Sequence, residues 1–270
     1  EYFARHLKSP DVALELPTGS GKTLVGLLVA EYRRRRDAAA VAFLCPTRQL
    51  CRQVNEQAKG YGIPTVNLSG PHGEWAQADL YRFQQGQAIA VATYSTVFNS
   101  YPALNDVAAF ICDDAHAAAD FVAAQWTLEI SRNQHPALYD SVIELLRPIL
   151  PTNVVAAVDD IFEKDAVDLV SAIQLQDYLD RLQALIGRYV PAHKDLKYTW
   201  GEIASHLNGC NLYCASQSIE IRPVIPPTDT HQLFKSSSQR IYMSATLGEV
   251  VETNRFGDKL RIGQLGIANL

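Results

Sequence analysis

Between residues 12 and 112, short apolar runs alternate with segments whose apolar side chains recur at helical spacing. The runs 12–16, 40–45, 64–68, 88–92 and 107–112 read as strands. Segments 22–36, 48–59 and 74–85 read as the helices between them. Strands alternating with helices predict an α/β fold whose parallel sheet is covered on both faces. Ligands in such sheets bind beyond the carboxyl ends of the strands. In this chain a polar cluster follows directly on most of the apolar runs.

The pattern changes after residue 116. Residues 117–207 read as mostly helical, punctuated by Pro136, Pro148, Pro151 and Pro191. Within that stretch 165–189 predicts one long helix, with Val167, Val170, Ile173, Leu182 and Ile186 among its apolar positions. Strand character returns at 211–215, 219–225 and 240–244. The expected architecture is therefore a parallel α/β sheet interrupted by a mostly helical insertion.

Composition narrows this only a little. Of the residues 47% are hydrophobic and 9% aromatic, which suits a packed core. The net charge is -5, and the acidic excess sits in 117–239, with 15 acidic against 9 basic side chains. Contact with a polyanion must then be local rather than spread over the surface. No apolar run reaches the length of a membrane span, so no membrane partner is expected. The 5 cysteines are an odd number and suggest free thiols in a reducing compartment. A cytoplasmic or nucleoid-associated location is expected on that ground.

The candidate chemistry lies at the strand ends. Residues 16–23 read Leu-Pro-Thr-Gly-Ser-Gly-Lys-Thr. A strand, this loop and a helix form a phosphate cradle. Backbone N–H groups of Thr18, Gly19, Ser20 and Gly21 face an anion, Lys22 meets the β- and γ-phosphates, and the Thr23 hydroxyl reaches Mg²⁺. Leu16 stands where the general pattern has glycine. The run 110–112 ends in Asp113, Asp114, Ala115 and His116. An NTPase needs one carboxylate to hold Mg²⁺ and a group to orient the attacking water; Asp113 suits the first role and Asp114 the second. Thr47 and Arg48 follow the second strand and can meet a phosphate at a helix start. Thr93, Tyr94 and Ser95 follow another strand, and Ser244, Ala245 and Thr246 end the last. Three further groups have plainer readings. Arg33–Arg36 suit the C-terminal end of a helix. His206, Cys210 and Cys214 lack an evident fourth metal ligand. Trp75 and Trp126 are read as core aromatics.

Taken in order, these clusters resemble the first motor domain of superfamily 2 helicases and translocases of the DEAD/DEAH-box type. The phosphate loop looks like their motif I, Pro46-Thr47-Arg48 like motif Ia and Thr93-Tyr94 like motif Ic. Asp113-Asp114-Ala115-His116 looks like the box itself, and Ser244-Ala245-Thr246 like motif III. The resemblance implies a RecA-like fold, ATP and Mg²⁺ as cofactors, and DNA or RNA as partner. It implies Mg²⁺ at Thr23 and Asp113 and a water held by Asp114. His116 with Ser244–Thr246 would couple the nucleotide to the nucleic acid, and Thr47, Arg48, Thr93 and Tyr94 would touch a single-stranded backbone. On this reading 1–116 and 235–270 form the motor domain, and 117–234 is an insertion that resembles the arch domain of DEAH-box DNA-repair helicases. Those enzymes carry a four-cysteine iron–sulfur cluster between motifs Ia and II. Here that interval holds Cys51 and Cys112 alone, and no cluster is expected. A second motor domain with its arginine fingers has no counterpart in the 270 residues, so a fragment of a longer protein is expected, nearly inactive by itself. The insertion is a candidate surface for a protein partner. Asp114 replaces the family's Glu and is one methylene shorter. Two other readings share these residues: a duplex DNA translocase of a restriction or defence system that does not separate strands, and a nucleotide-gated nucleic-acid binding module with weak turnover.

Overall fold

The computed structural model describes residues 6–99, 102–159 and 167–245. The chain divides into two compact units, one built from the described residues up to Val122 and from Pro227 onward, the other from Ala123–Pro226.

The first unit begins with β1 (Asp11–Glu15), α1 (Lys22–Asp37), β2 (Val41–Cys45), α2 (Arg48–Gly60), β3 (Thr65–Asn67), α3 (Gln77–Gln84), β4 (Ile89–Thr93), the short α4 (Tyr94–Val97), β5 (Ala109–Asp113) and α5 (Ala115–Ala124). After the second unit, described below, the chain returns through a short helix at Gln232–Ser236 and the strand Gln239–Ser244, the tenth of the chain and called β10. The six strands form one parallel sheet in the order β1-β10-β5-β2-β4-β3. Strands β2 and β4 are buried at every position, as parallel strands with helices on both faces must be. Leu27 and Ala30 of α1 and Val54 of α2 pack with Phe43, Ile111 and Met243 into the core. Gly26 lets α1 approach the sheet, because a Cβ there would overlap the Met243 side chain and lie 2.9 Å from the Phe43 ring.

Two polar nodes lock β10 into place. Arg240 faces Asp11 across the parallel pair, with bonds of 2.7 Å from Nε and 2.8 Å from Nη2. Arg33, at the far end of α1, is buried and donates from Nε to Gln239 Oε1 at 2.8 Å. Gln239 in turn donates to the Ser9 carbonyl at 2.7 Å. Arg34 and Arg35 bond to Glu31, and Arg36 to Asp37. The arginine run therefore closes the helix end, in line with its plainer reading.

The second unit contains β6 (Leu128–Ser131), α6 (Pro136–Leu146), α7 (Thr152–Asp159), β7 (Val167–Val170), α8 (Ala172–Leu175), α9 (Leu179–Tyr189), α10 (Lys194–Ile203), β8 (Cys210–Ala215) and β9 (Ser218–Pro223). Its four strands form an antiparallel sheet in the order β6-β9-β8-β7. In β8 and β9 buried and half-buried positions alternate strictly, the signature of a sheet with one face on a core. The second unit is rich in helix but is organised on a sheet, and its strands β6 and β7 fall where the sequence reading has helix. The stretch 165–189 is not one helix. Its described part, from Val167 onward, begins with β7, paired with β8, and Ser171 caps α8 in a capping box closed by Gln174.

Among the described residues all 5 cysteines are free and buried. Cys210 donates to the His206 carbonyl at 3.4 Å. No group of three or more His, Cys, Asp or Glu side chains among the described residues could hold a metal.

Candidate functional site

Every candidate cluster of the first unit lies at the carboxyl end of a strand of the parallel sheet. The loop 16–21 leaves β1 and feeds α1. The Leu16 N–H donates to the Ser244 carbonyl at 3.0 Å, which extends the β1–β10 ladder by one bond. The substitution of glycine by Leu16 is thus tolerated where the chain is still strand-like. Gly19 and Gly21 do need to be glycine, with φ of 80° and 81°. No atom lies within 4 Å of where their Cβ would be, so the loop stands open on that side. Pro17 to Gly21 are exposed. Ser20 closes the turn, with its N–H and Oγ donating to the Pro17 carbonyl at 3.2 and 2.6 Å.

Helix α1 has no side-chain cap and no acidic residue in its first turn. Its first N–H groups and the positive end of its dipole face outward at Gly21–Thr23, as an anion site requires. Lys22 Nζ donates to the Leu16 carbonyl at 3.3 Å, which arches the side chain over the loop. The residues present thus fit a nucleotide phosphate chain.

In sheet order β1, β10 and β5 are neighbours, so the loop, Ser244 and Asp113 occupy adjacent strand ends. Asp113 is half-buried. Burial pushes its carboxyl up to about 6; the Asp114 backbone N–H opposes this, the Asp114 charge adds to it, and Lys22 opposes it. The Lys22 ammonium is thus near enough for its field to reach Asp113. Asp114 is exposed in a left-handed conformation, φ 48°, and its carbonyl accepts the Ala118 N–H at 3.2 Å. It turns the chain from strand into α5. His116 is exposed on the first turn of that helix. Ser244 is buried and Ala245 half-buried, while Thr246 lies outside the described residues.

Thr47 caps α2, its Oγ1 accepting the Leu50 N–H at 3.2 Å, and Arg48 beside it is exposed. Thr93 Oγ1 lies 2.9 Å from Ser95 Oγ and 3.0 Å from Thr96 Oγ1, a cluster of hydroxyls at the end of β4. Tyr94 corrects the sequence reading. Its side chain is fully buried, and its hydroxyl donates to the Asp113 carbonyl at 2.8 Å. It braces the strand that carries the carboxylates and has no surface to offer a nucleic-acid backbone. The two tryptophans part company as well. Trp126 is buried, but Trp75 is half-exposed in the loop after β3 and does not belong to the core. That loop leaves a strand end like the other clusters, which is the signal the sequence carried for it.

The DEAD/DEAH box helicase family pattern matches residues 1–141 of the chain. The chain is 32% identical over 114 residues to DEAD-box ATP-dependent RNA helicase 41 of Arabidopsis thaliana, covering 36% of this chain and 22% of that protein. It is 32% identical over 87 residues to ATP-dependent RNA helicase DDX42 of Xenopus laevis, covering 28% of this chain and 9% of that protein. Among solved structures, S. tokodaii Xpd4 superposes with a TM-score of 0.52 at 17% identity, over 91% of this chain and 55% of that one. An apo XPD structure gives 0.50 at 19% identity, over 91% and 52%. At such identities the likeness shows the shared fold. The chain spans only part of the length of each of these proteins.

Proposed function

The chain belongs to the DEAD/DEAH box helicase family, and from that premise we propose that its motor unit binds ATP–Mg²⁺ and a single strand of DNA or RNA as one half of a nucleic-acid helicase. Lys22 and the amides of Thr18–Gly21 hold the phosphates. Thr23 and Asp113 hold Mg²⁺, and Asp114 orients the attacking water. His116 and Ser244–Thr246 link this site to the strand. Thr47, Arg48 and Thr93 take the strand's backbone, a contact that carries no base information. A second motor domain and a protein partner on the insertion complete the assembly. Bound ATP supplies the phosphoanhydride, and the residues named here position it and neutralise charge.

The observation that best supports this reading is the adjacency of β1, β10 and β5. It brings the open loop, Ser244 and Asp113 together at the carboxyl ends of neighbouring strands. The test is titration of the chain with a fluorescent ATP analogue, with and without Mg²⁺. Lys22→Ala should abolish binding while the near-UV circular dichroism stays native, because Lys22 faces the loop and not the core. Asp113→Asn should remove only the Mg²⁺-dependent part. Native affinity in Lys22→Ala would refute the assignment.

The short, exposed Asp114 favours one further reading, a nucleotide-gated binding module with slow turnover. It shares every binding residue with the first reading and differs in the rate of hydrolysis alone.

A further inference from the structure

The loop between β3 and α3 holds an aromatic pair that the phosphate chemistry does not use. Trp75 is half-exposed, and its orientation is fixed. The indole Nε1 donates to the Gly70 carbonyl at 2.9 Å. The His72 ring stands edge-on to it, 5.0 Å between centroids at 87°. Arg48, Thr93, Thr96 and Asn99 line the same cleft, which has a volume of about 280 Å³. That lies at the lower edge of the roughly 300–1,000 Å³ typical of small-molecule pockets. The walls thus offer one cation, a set of hydroxyls and one preorganised aromatic face, in a space for a single flat group.

We propose that this cleft seats one unpaired base of a single-stranded nucleic acid on the Trp75 indole, with the adjoining phosphate on Arg48. The proposal rests on the nucleic-acid reading above and goes beyond it, since a backbone contact alone ignores the bases. Stacking suits every base, because each has a π-face, and the indole is held ready by Gly70 and His72, so little ordering is needed on binding. The cleft would therefore tell an unpaired strand from a duplex, whose bases are stacked on one another, while remaining nearly blind to sequence.

The experiment measures binding of the whole chain to two fluorescent strands, a short oligothymidylate and the same strand with abasic sugars. Native protein should bind the abasic strand about 10-fold more weakly, within the range alanine substitution gives for one stacked base. Trp75→Ala should lose the same factor on the oligothymidylate and nothing further on the abasic strand. Trp75→Phe, which keeps a ring but drops the Gly70 bond, should recover most of the affinity. Arg48→Ala should weaken both strands alike. Loss of affinity for both strands in Trp75→Ala would mean that the indole merely holds the loop, and would overturn the base seat. So would native affinity in Trp75→Ala, and with Arg48→Ala still impaired the backbone reading would stand. If native protein binds neither strand, the nucleic-acid reading itself fails.

Discussion

At the scale of single residues the two carboxylates of the box sit in opposite environments. Asp113 is half-buried with its carboxyl pushed up to about 6, above the ordinary value of 3.8. The folded protein therefore pays for an ionised Asp113 at every pH above about 6. The penalty fades as pH falls from 6 towards 3.8, where the unfolded chain also takes up its proton. Asp113→Asn should accordingly raise the melting temperature at pH 7, and the gain should shrink towards pH 4. Thermal melts across that range check it; a variant less stable than native at pH 7 would show that the carboxylate is held by bonds and not strained by burial. The same Asn removes the proposed Mg²⁺ ligand, so stability and Mg²⁺-dependent nucleotide binding should move in opposite directions. Asp114 presents the reverse case. It is exposed, and its φ of 48° lies in the left-handed region that Asp tolerates better than Glu. Asp114→Glu should thus lower stability slightly, by under about 1 kcal/mol, while lengthening the reach towards water. Single-turnover hydrolysis equal to or faster than native is expected. A slower rate would mean that the site is shaped around Asp.

At the scale of elements the sheet depends on close approach of α1. Gly26→Ala forces a methyl into the Met243 side chain and the Phe43 ring. Overpacking of this kind costs about 1–3 kcal/mol, more than the helix propensity of Ala returns. Urea unfolding should show a lower midpoint with an unchanged slope; an increase would mean that Met243 rearranges freely. This contact joins residues far apart in sequence, and no local pattern announced it. The central strands β2, β4 and β5 were legible because each is a nearly uninterrupted apolar run, and their observed ends lie close to the expected ones. Strands β6 and β7 were not. In β7 the apolar Val167 and Val170 sit three apart, which imitates helical spacing, and only pairing with β8 decides for a strand. The same division holds at the site. The strand, glycine turn and helix around residues 16–23 were readable because the residues that build them are contiguous. The burial of Tyr94 and the exposure of Trp75 were not, since both depend on which strand end lies alongside.

At the scale of the whole molecule the question is what this chain can do by itself. Phosphoryl transfer gains on the order of 10³–10⁵ in rate from an arginine that meets the developing charge. Three arginines of the motor unit are already engaged in holding the fold. Arg33 is tied to Gln239 and Asp37, Arg34 to Glu31 and the Gly86 carbonyl, and Arg240 to Asp11. Arg48 is exposed at the start of α2 and lines the cleft beside Trp75, where the strand is proposed to bind. On the proposed reading the second motor domain supplies the charge needed in the transition state. The 270-residue chain should bind ATP–Mg²⁺ and hydrolyse it very slowly, and single strands should raise the rate little. Steady-state phosphate release with and without oligonucleotide measures this. Robust strand-stimulated turnover by the chain alone would mean that one of its own arginines reaches the γ-phosphate. Alanine substitution of Arg48, the exposed candidate nearest a strand end, would then be the first place to look.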